Sequence, residues 1–340
     1  MNLRRLLGEL LRPYLGVLAL VVAFQTVQTT ASLLLPTLNA DLIDNGVLVG
    51  DNDYIRRIGL VMMGVTLVQV VFQVVAVWFG ARVAMGFGRD IRDVLFHHVN
   101  GFSAREVGRF GAPSLITRVT NDVQQVQMLV VMVITILVTA PLTMVIGFVL
   151  ATREDAGLSV VLAVSLPFVA VVLGTVAGRM VPAFDLMQIR IDRINGILRE
   201  QITGMRVVRA FVREPQEEAR FAAASEDLTE PSLRAGRLMA VMFPTMMFTI
   251  NAASLAVLWL GADRIDAGAT DIGSMVAYLS YLVQILMAVA MSTFVLAQRP
   301  RAMVASDRIM EVLDAQGSVR PPARPVSDLV TPATVELEGV

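Results

Sequence analysis

Residues 123–152 read VQQVQMLVVMVITILVTAPLTMVIGFVLAT, a run of thirty residues without one charged side chain. About 20 apolar residues in a helix suffice to cross the hydrocarbon core of a bilayer, so this run is predicted to span a membrane. One such run could also be a buried helix of a soluble protein. Five further runs of at least 23 residues lack Asp, Glu and Arg: 13–40, 58–81, 156–178, 238–262 and 272–298. Six runs in one chain predict an all-α membrane protein with six long transmembrane helices.

The basic residues indicate how these helices are oriented. All 28 are arginines, and 24 of them lie in alternate segments of the chain, namely the N-terminus, 82–122, 179–237 and the tail from 299. Positively charged residues stay on the cytoplasmic side of a membrane. We therefore expect a multi-pass protein of the cell's inner (plasma) membrane with both termini in the cytoplasm.

The two inner segments between the runs are predicted to extend the transmembrane helices into the cytoplasm as hairpins. In the second segment, apolar residues recur every three or four positions, as in an amphipathic helix: Phe184, Met187, Ile191, Ile194, Leu198 and Ile202. Proline suits the first turn of a helix, so the return helix is expected to begin near Pro231, after a short element at 205–222. In the first segment, Gly108, Gly111 and Pro113 are expected to mark the turn.

The composition also limits the chemistry of the chain. It has no cysteine and no lysine, so it offers no thiolate metal site and no P-loop for ATP. His97 and His98 are adjacent, which is a poor geometry for one metal ion, and we interpret them as solvated. We predict no catalytic, cofactor-binding or metal-ligating residue. The six runs also lack the ionisable side chains that proton-coupled carriers place inside the bilayer.

Four segments of the sequence carry a resemblance to a known family. They read TRVTNDV at 117–123, GMRVVRAF at 204–211, GSMVAY at 273–278 and ASDRIMEVLD at 305–314. Each is weak alone, but the ordered set resembles the six-helix transmembrane domain of ABC exporters. One departure is GAP at 111–113, where the family often has an acidic residue after the glycine.

The resemblance implies a transmembrane subunit of an ATP-driven exporter that forms the substrate translocation pathway by alternating access. Two cytoplasmic coupling helices would receive the motion of nucleotide-binding domains, and ATP and Mg²⁺ would bind to those domains. The other implied partners are a second transmembrane subunit, in a homodimer or a heterodimer, membrane lipid, and a small-molecule or lipid substrate, as in multidrug or lipid efflux. Nucleic acid is not an expected partner.

The resemblance also assigns residues to the two coupling elements. For the first we expect Ala112, Pro113, Ser114, Arg118, Asn121 and Asp122. For the second we expect Arg209, Phe211, Arg213, Glu214, Glu217 and Phe221. Arg118 and Asp122 are four residues apart and could brace the helix that leaves the first tip, although the same pair could be an ordinary surface salt bridge.

Polar residues within the apolar runs are candidates for the substrate pathway. They are Gln25, Gln28, Ser32, Gln69, Gln73, Asn251, Ser280, Gln284 and the soft side chain of Met287. The alternative is that these side chains form interhelical hydrogen bonds that hold the bundle together. The residues alone do not decide between the two interpretations.

The chain is expected to contain three regions. Residues 1–315 would form the transmembrane domain, the Pro-rich stretch 316–332 a linker, and the alternating stretch 333–340 the first strand of a truncated nucleotide-binding domain. An alternative function is a secondary carrier or channel that is not driven by ATP. A third possibility is a membrane scaffold that only binds partners.

Overall fold

The computed structural model describes residues 2–319, except for the side chain of Ala297. The part of the chain that the structure describes is helical and contains no strand. The predicted strand at 333–340 and most of the predicted linker lie outside these residues. The helices are α1 (Asn2–Leu10), α2 (Leu15–Leu42), α3 (Asn52–Asn100), α4 (Ala104–Phe110), α5 (Ala112–Thr117), α6 (Val123–Met132), α7 (Thr139–Glu154), α8 (Ser159–Ala210), α9 (Glu214–Asp266) and α10 (Ile272–Leu313).

Three short π-helical turns adjoin some of these helices. They lie at Ile43–Val47, Arg118–Asp122 and Val133–Leu137. The last two join α5, α6 and α7 into one stretch from Ala112 to Glu154. Six helical stretches of the described residues are thus long and apolar enough to cross a membrane. The prediction of an all-α protein with six transmembrane helices is confirmed.

The chain folds as two compact units, and the larger comprises residues 14–83 and 129–299. Its core is made by apolar side chains of α2, α7, α8, α9 and α10. Two fully buried tyrosines of α10 tie this core together, because Tyr278 donates to the carbonyl of Leu158 and Tyr281 donates to that of Leu33, both at 2.8 Å. Each tyrosine thereby satisfies its hydroxyl while burying a large ring.

Within the described residues, the smaller unit comprises 2–13, 84–128 and 300–319. Its buried side chains include Phe87, Leu95 and Ile309. The short helix α1 turns Leu6 into this unit and leaves Arg4 and Arg5 exposed, as expected for an amphipathic helix. Arg5 also pairs with Asp314, with 3.0 Å between Nη1 and Oδ1.

In the larger unit, α8 and α9 form a long antiparallel hairpin joined by residues 211–213. This connection is much shorter than the predicted element at 205–222. The expected start of the return helix near Pro231 is also wrong, because α9 begins at Glu214 and carries Pro231 in its interior. Pro215 occupies the first turn instead, where a missing N–H leaves no hydrogen bond unmade.

In the smaller unit, the first inner segment also turns differently from the prediction. Gly111 has a φ of 77°, which suits glycine, and Pro113 lies in the first turn of α5, so both mark breaks as expected. Gly108 does not, because it lies inside α4. The turn that ends α3 begins earlier, after Asn100, at a point where the sequence offers Gly101.

Candidate functional site

The turn of the α8–α9 hairpin presents two apolar side chains to solvent. Phe211 is 72% exposed and Val212 is 76% exposed. Val212 also has a φ of 51°, and within residues 2–319 no other non-glycine residue has a positive φ. A β-branched residue in this region is strained, at a cost of about 1–3 kcal/mol. Strain and exposed apolar surface at one turn indicate a contact site.

Charged residues of the predicted second coupling element surround this turn. Arg209 and Arg213 are exposed, and Arg213 donates to Gln216 on the first turn of α9. Glu214 lies at the positive end of the α9 dipole and keeps one buried carboxylate oxygen, Oε2, without a partner. Glu217 lies 3.5 Å from Arg220. Phe221, predicted as a second anchor, is half-buried on the shaft of the hairpin and does not lie at its tip.

The shaft of the hairpin is held by small apolar contacts and by ion pairs across the two helices. Ala183 on α8 and Ala235 on α9 are buried. Small side chains of this kind let two helices approach closely. Arg193 bonds to Asp227 at 2.7 Å. Such exposed ion pairs contribute little free energy. The Arg193–Asp227 pair marks a level at which α8 and α9 face each other along the shaft.

At the first inner tip, α4 is a separate short helix with a complete capping box. The hydroxyl of Ser103 accepts from the N–H of Arg105, and the carboxylate of Glu106 accepts from the N–H of Ser103 at 2.9 Å. The predicted residues Ala112, Pro113 and Ser114 begin the next helix, α5, so they follow the tip helix and are not part of it.

Arg118 and Asp122 were predicted to pair with each other, but in the structure each pairs with α10 instead. Arg118 donates to Glu311 at 2.8 Å and to the carbonyl of Arg308 at 2.9 Å, whereas Asp122 faces the guanidinium of Arg308 at 3.8 Å. The cause is the π-helical turn at Arg118–Asp122, which inserts an extra residue and moves position i+4 away from position i. Both residues thus bind the end of α10, while Asn121 is exposed.

The pathway candidates fall into three groups. Gln25 is buried and donates to the carbonyl of Ile134 at 2.6 Å, inside the π-helical turn of the third span, but its Oε1 has no partner. Gln73 and Asn251 are exposed on their helices. The remaining candidates are half-buried, namely Gln28, Ser32, Gln69, Ser280, Gln284 and Met287. The hydroxyl of Ser280 bonds within its own helix, to Val276. The structure therefore gives Gln25 an interhelical bond, as the alternative interpretation requires.

A polar cluster that was not predicted from the sequence lies where α7 ends and α8 begins. The carboxylate of Asp155 is buried and accepts from Arg264 Nε at 2.7 Å and from the N–H groups of Gly157 and Leu158. Burial acts to raise the pKa of Asp155, but the donors around it, Arg264 first, with a further contribution from Thr270, outweigh it and lower the pKa below its usual value. The signal in the sequence was the pattern DAG at 155–157, which suits an Asx turn.

A second missed contact joins α2 and α10 in the larger unit. The N–H of Gly273 donates to Asp44 at 2.8 Å, at the start of α10. A side chain at Gly273 would collide with the carbonyl of Ala40 and with Asp44. Glycine is therefore required for this approach, and Asp44 complements the positive end of the α10 dipole.

Comparison with known proteins places these features in a family. Residues 18–289 match the family model of the ABC transporter transmembrane region. The chain is 47% identical over 320 residues to an uncharacterised ABC transporter ATP-binding protein of Mycobacterium tuberculosis, covering 94% of this chain and 55% of that relative. It is 27% identical over 327 residues to a multidrug efflux ATP-binding/permease protein of Mycobacterium bovis, covering 95% of this chain and 27% of that protein.

A further relative is an ATP-dependent lipid A-core flippase of Pseudomonas syringae. The identity is 27% over 284 residues, covering 79% of this chain and 46% of the flippase. The chain thus spans about half the length of the first of these relatives, and less of the other two.

Proposed function

Because the chain belongs to the ABC transporter transmembrane region family, we propose that it forms the translocation pathway of an ATP-driven exporter and works by alternating access. The proposed location is the inner (plasma) membrane, with both termini in the cytoplasm. The arginine distribution supports this orientation.

The observation that carries the proposal is the length of the α8–α9 hairpin. Its helices have 52 and 53 residues, so each is about 80 Å long, whereas the hydrocarbon core of a bilayer is about 30 Å thick. A substantial part of the hairpin must therefore extend into water. A pair of braced helices that ends in an exposed apolar turn is suited to carrying a movement from that turn into the membrane.

In the proposed mechanism, the side chains of Phe211 and Val212 enter an apolar cleft on a partner domain in the cytoplasm. The charged groups of Arg209, Arg213 and Glu214 fix the orientation of that contact. Movement of the partner domain then displaces the hairpin as a rigid body and shifts the population between inward-facing and outward-facing packing of the helices.

The partners follow from the same proposal. Nucleotide-binding domains would hold ATP and Mg²⁺, since this chain has no lysine and no P-loop with which to bind a nucleotide. A second transmembrane subunit would complete the pathway. The names of the relatives, a multidrug efflux protein and a lipid flippase, support a small-molecule or lipid substrate.

Within the pathway, we propose that Gln25 and Gln69 are the polar groups most suited to contact a substrate. Each has a buried Oε1 without a hydrogen-bond partner, which is costly unless water or a ligand satisfies it. Gln28, Ser32, Gln73, Asn251, Ser280, Gln284 and Met287 remain candidates for the same pathway.

The test is transport by the chain together with its nucleotide-binding domains in proteoliposomes, with a fluorescent lipid and a fluorescent drug as probes. We expect transport only with ATP. Phe211→Ser should abolish transport while ATP hydrolysis continues, because it removes the apolar contact at the tip. The control is Ile202→Ser, which changes a residue that is 70% exposed on the same hairpin but away from the turn. Transport driven by a proton or sodium gradient without ATP would show that the protein is a secondary carrier and would contradict the proposal.

A further inference from the structure

The chain that leaves α10 is fastened to the start of α4. We define the strap as residues 315–318, which follow α10 directly after Asp314. Nε2 of His98 lies 2.8 Å from the carbonyl oxygen of Ala315, and because a carbonyl only accepts, this nitrogen carries the proton. The backbone at Gly317 lies against the carbonyl of Gly101, where a side chain would be in tight contact. The strap is thus held at two points before it reaches α4.

The third point is the carboxylate of Glu106, whose two oxygens have different partners. Oε2 accepts from the N–H and the hydroxyl of Ser103, which completes the capping box of α4. Oε1 accepts from the N–H of Ser318 at 3.2 Å. The hydroxyls of Ser103 and Ser318 also lie 3.0 Å apart. One side chain therefore both starts the helix and holds the strap.

Aromatic contacts extend from the strap and α4 to the C-terminal end of α10. His98 packs edge-on against Phe102, Phe102 stacks on Phe110 at 5.8 Å, and the guanidinium of Arg118 lies over the ring of Phe110 at 5.0 Å. Arg118 in turn binds Glu311 near the end of α10. The strap, α4 and the end of α10 are thus joined in a closed loop of contacts within the smaller unit.

We propose that Glu106 fastens the strap to α4, so that a displacement of the chain beyond α10 moves α4 directly. This inference rests on the proposed function, because it assigns a role to the tip in coupling. The strap is a positioning device: a few hydrogen bonds, from partly buried groups to an exposed segment, hold it, and such contacts can release and re-form during a transport cycle.

Two variants should release the strap by different routes while leaving α4 capped. In Glu106→Gln, the amide keeps one acceptor oxygen, which can complete the capping box but cannot also hold the N–H of Ser318. In Ser318→Pro, Glu106 is intact but the N–H is removed. The matched control is Ser318→Ala, which keeps the N–H and loses the hydroxyl alone.

The chain has no cysteine, so Arg105→Cys and Val319→Cys place two spin labels on exposed positions without background. We expect one narrow distance distribution in the parent and in Ser318→Ala, measured in nanodiscs. Glu106→Gln and Ser318→Pro should broaden it, with the released population raised about ten-fold. The same narrow distribution in all four backgrounds would overturn the proposal.

ATP-driven transport, measured together with the nucleotide-binding domains, decides the role of the strap. A loss of transport in both releasing variants but not in Ser318→Ala is the expected result. Broadened distances with unchanged transport would show a merely structural contact and overturn the positioning role. A parent protein that does not transport would contradict the proposed function instead, and the distances would still decide whether Glu106 fastens the strap.

Discussion

Val212 holds a backbone conformation that its side chain disfavours, at the exposed turn of the α8–α9 hairpin. Since the side chain is exposed, replacing it costs little packing, and Val212→Gly should relieve the strain. We expect the opening of the turn to become less favourable by about 1 kcal/mol, which slows amide exchange at the tip about five-fold. Hydrogen exchange with mass spectrometry measures this directly.

The control for that experiment is Val212→Ala, which removes the branch but keeps a Cβ in the left-handed region. Alanine should leave exchange close to that of the parent. If alanine and glycine slow exchange equally, branching causes the strain and the sign of φ does not.

Asp155 is a residue whose charge is required by its neighbours. Asp155→Asn leaves Arg264 without its anionic partner, and should lower the stability by about 2 kcal/mol at neutral pH. Because the folded pKa is lowered, the stabilisation by the wild-type carboxylate is present above the usual aspartate pKa and is lost as pH falls through the folded value. Thermal unfolding in detergent at a series of pH values measures both effects.

Asp53→Asn is the matched control for Asp155, because the side chain of Asp53 is 97% exposed. It should change neither the stability nor its pH dependence. An Asp155→Asn protein with the stability of this control would contradict the role given to the buried carboxylate.

The carboxyl group of Glu106 is expected to titrate at an unusually low pH. Hydrogen bonds from Ser103, and to a lesser extent from Ser318, lower its pKa to about 2, against the opposing effect of burial. The capping contribution is therefore complete above the ordinary glutamate pKa and is lost as pH falls towards 2. Carboxyl carbon NMR of the labelled side chain measures the midpoint, and Ser103→Ala should move it upward. A midpoint at the ordinary glutamate value in the parent would contradict the described bonds.

At the scale of elements, the approach of α10 to α2 depends on Gly273. Gly273→Ala would force its Cβ against the carbonyl of Ala40 and against Asp44, and should destabilise the protein by about 1–3 kcal/mol. Gly64→Ala is the control, since no atom lies within 4 Å of a Cβ placed there. Thermal unfolding in nanodiscs compares the two, and equal midpoints would mean that α10 can move away from α2 at no cost.

The existence of the helices was predictable from the sequence, but the residues at which they begin, end and turn were not. The long uncharged runs predicted six spans because hydrophobic length is a property of the local sequence. Pro215 and Pro231 are equally compatible with a first turn, and the contacts between α8 and α9 decide that the chain reverses before Pro215. The π-helical turn at Arg118–Asp122 has no sequence signature at all, which is why the expected Arg118–Asp122 brace was wrong.

At the scale of the whole molecule, the orientation in the membrane can be tested with single cysteines. Val49 lies between the first two spans and is 72% exposed, whereas Phe211 lies at the hairpin turn. In intact cells, a membrane-impermeant maleimide should label Val49→Cys and leave Phe211→Cys unlabelled until the cells are opened. Labelling of Phe211→Cys from outside would reverse the proposed topology.

The candidate site was partly predictable at this scale. Phe211 could be identified because a resemblance in sequence pointed to it, and the structure places it on an exposed turn. The pathway residues could not be separated from ordinary interhelical contacts by sequence. Whether a glutamine such as Gln25 faces a neighbouring carbonyl or a cavity depends on the packing of distant helices. The clusters around Asp155 and Glu106 depend on residues far apart in the chain, Arg264 and Ser318.

The proportions of the α8–α9 hairpin also give it leverage. Helices of about 80 Å that cross a core of about 30 Å leave an outer arm of about 50 Å, and a swing of 10° about the membrane surface, roughly, would carry the turn sideways by about 9 Å. The same swing displaces the far end of the membrane arm by only about 5 Å. In the proposed mechanism, a large movement of the turn would thus produce a shorter and more forceful movement across the bilayer, and the pairing of α8 with α9 would limit bending of the hairpin.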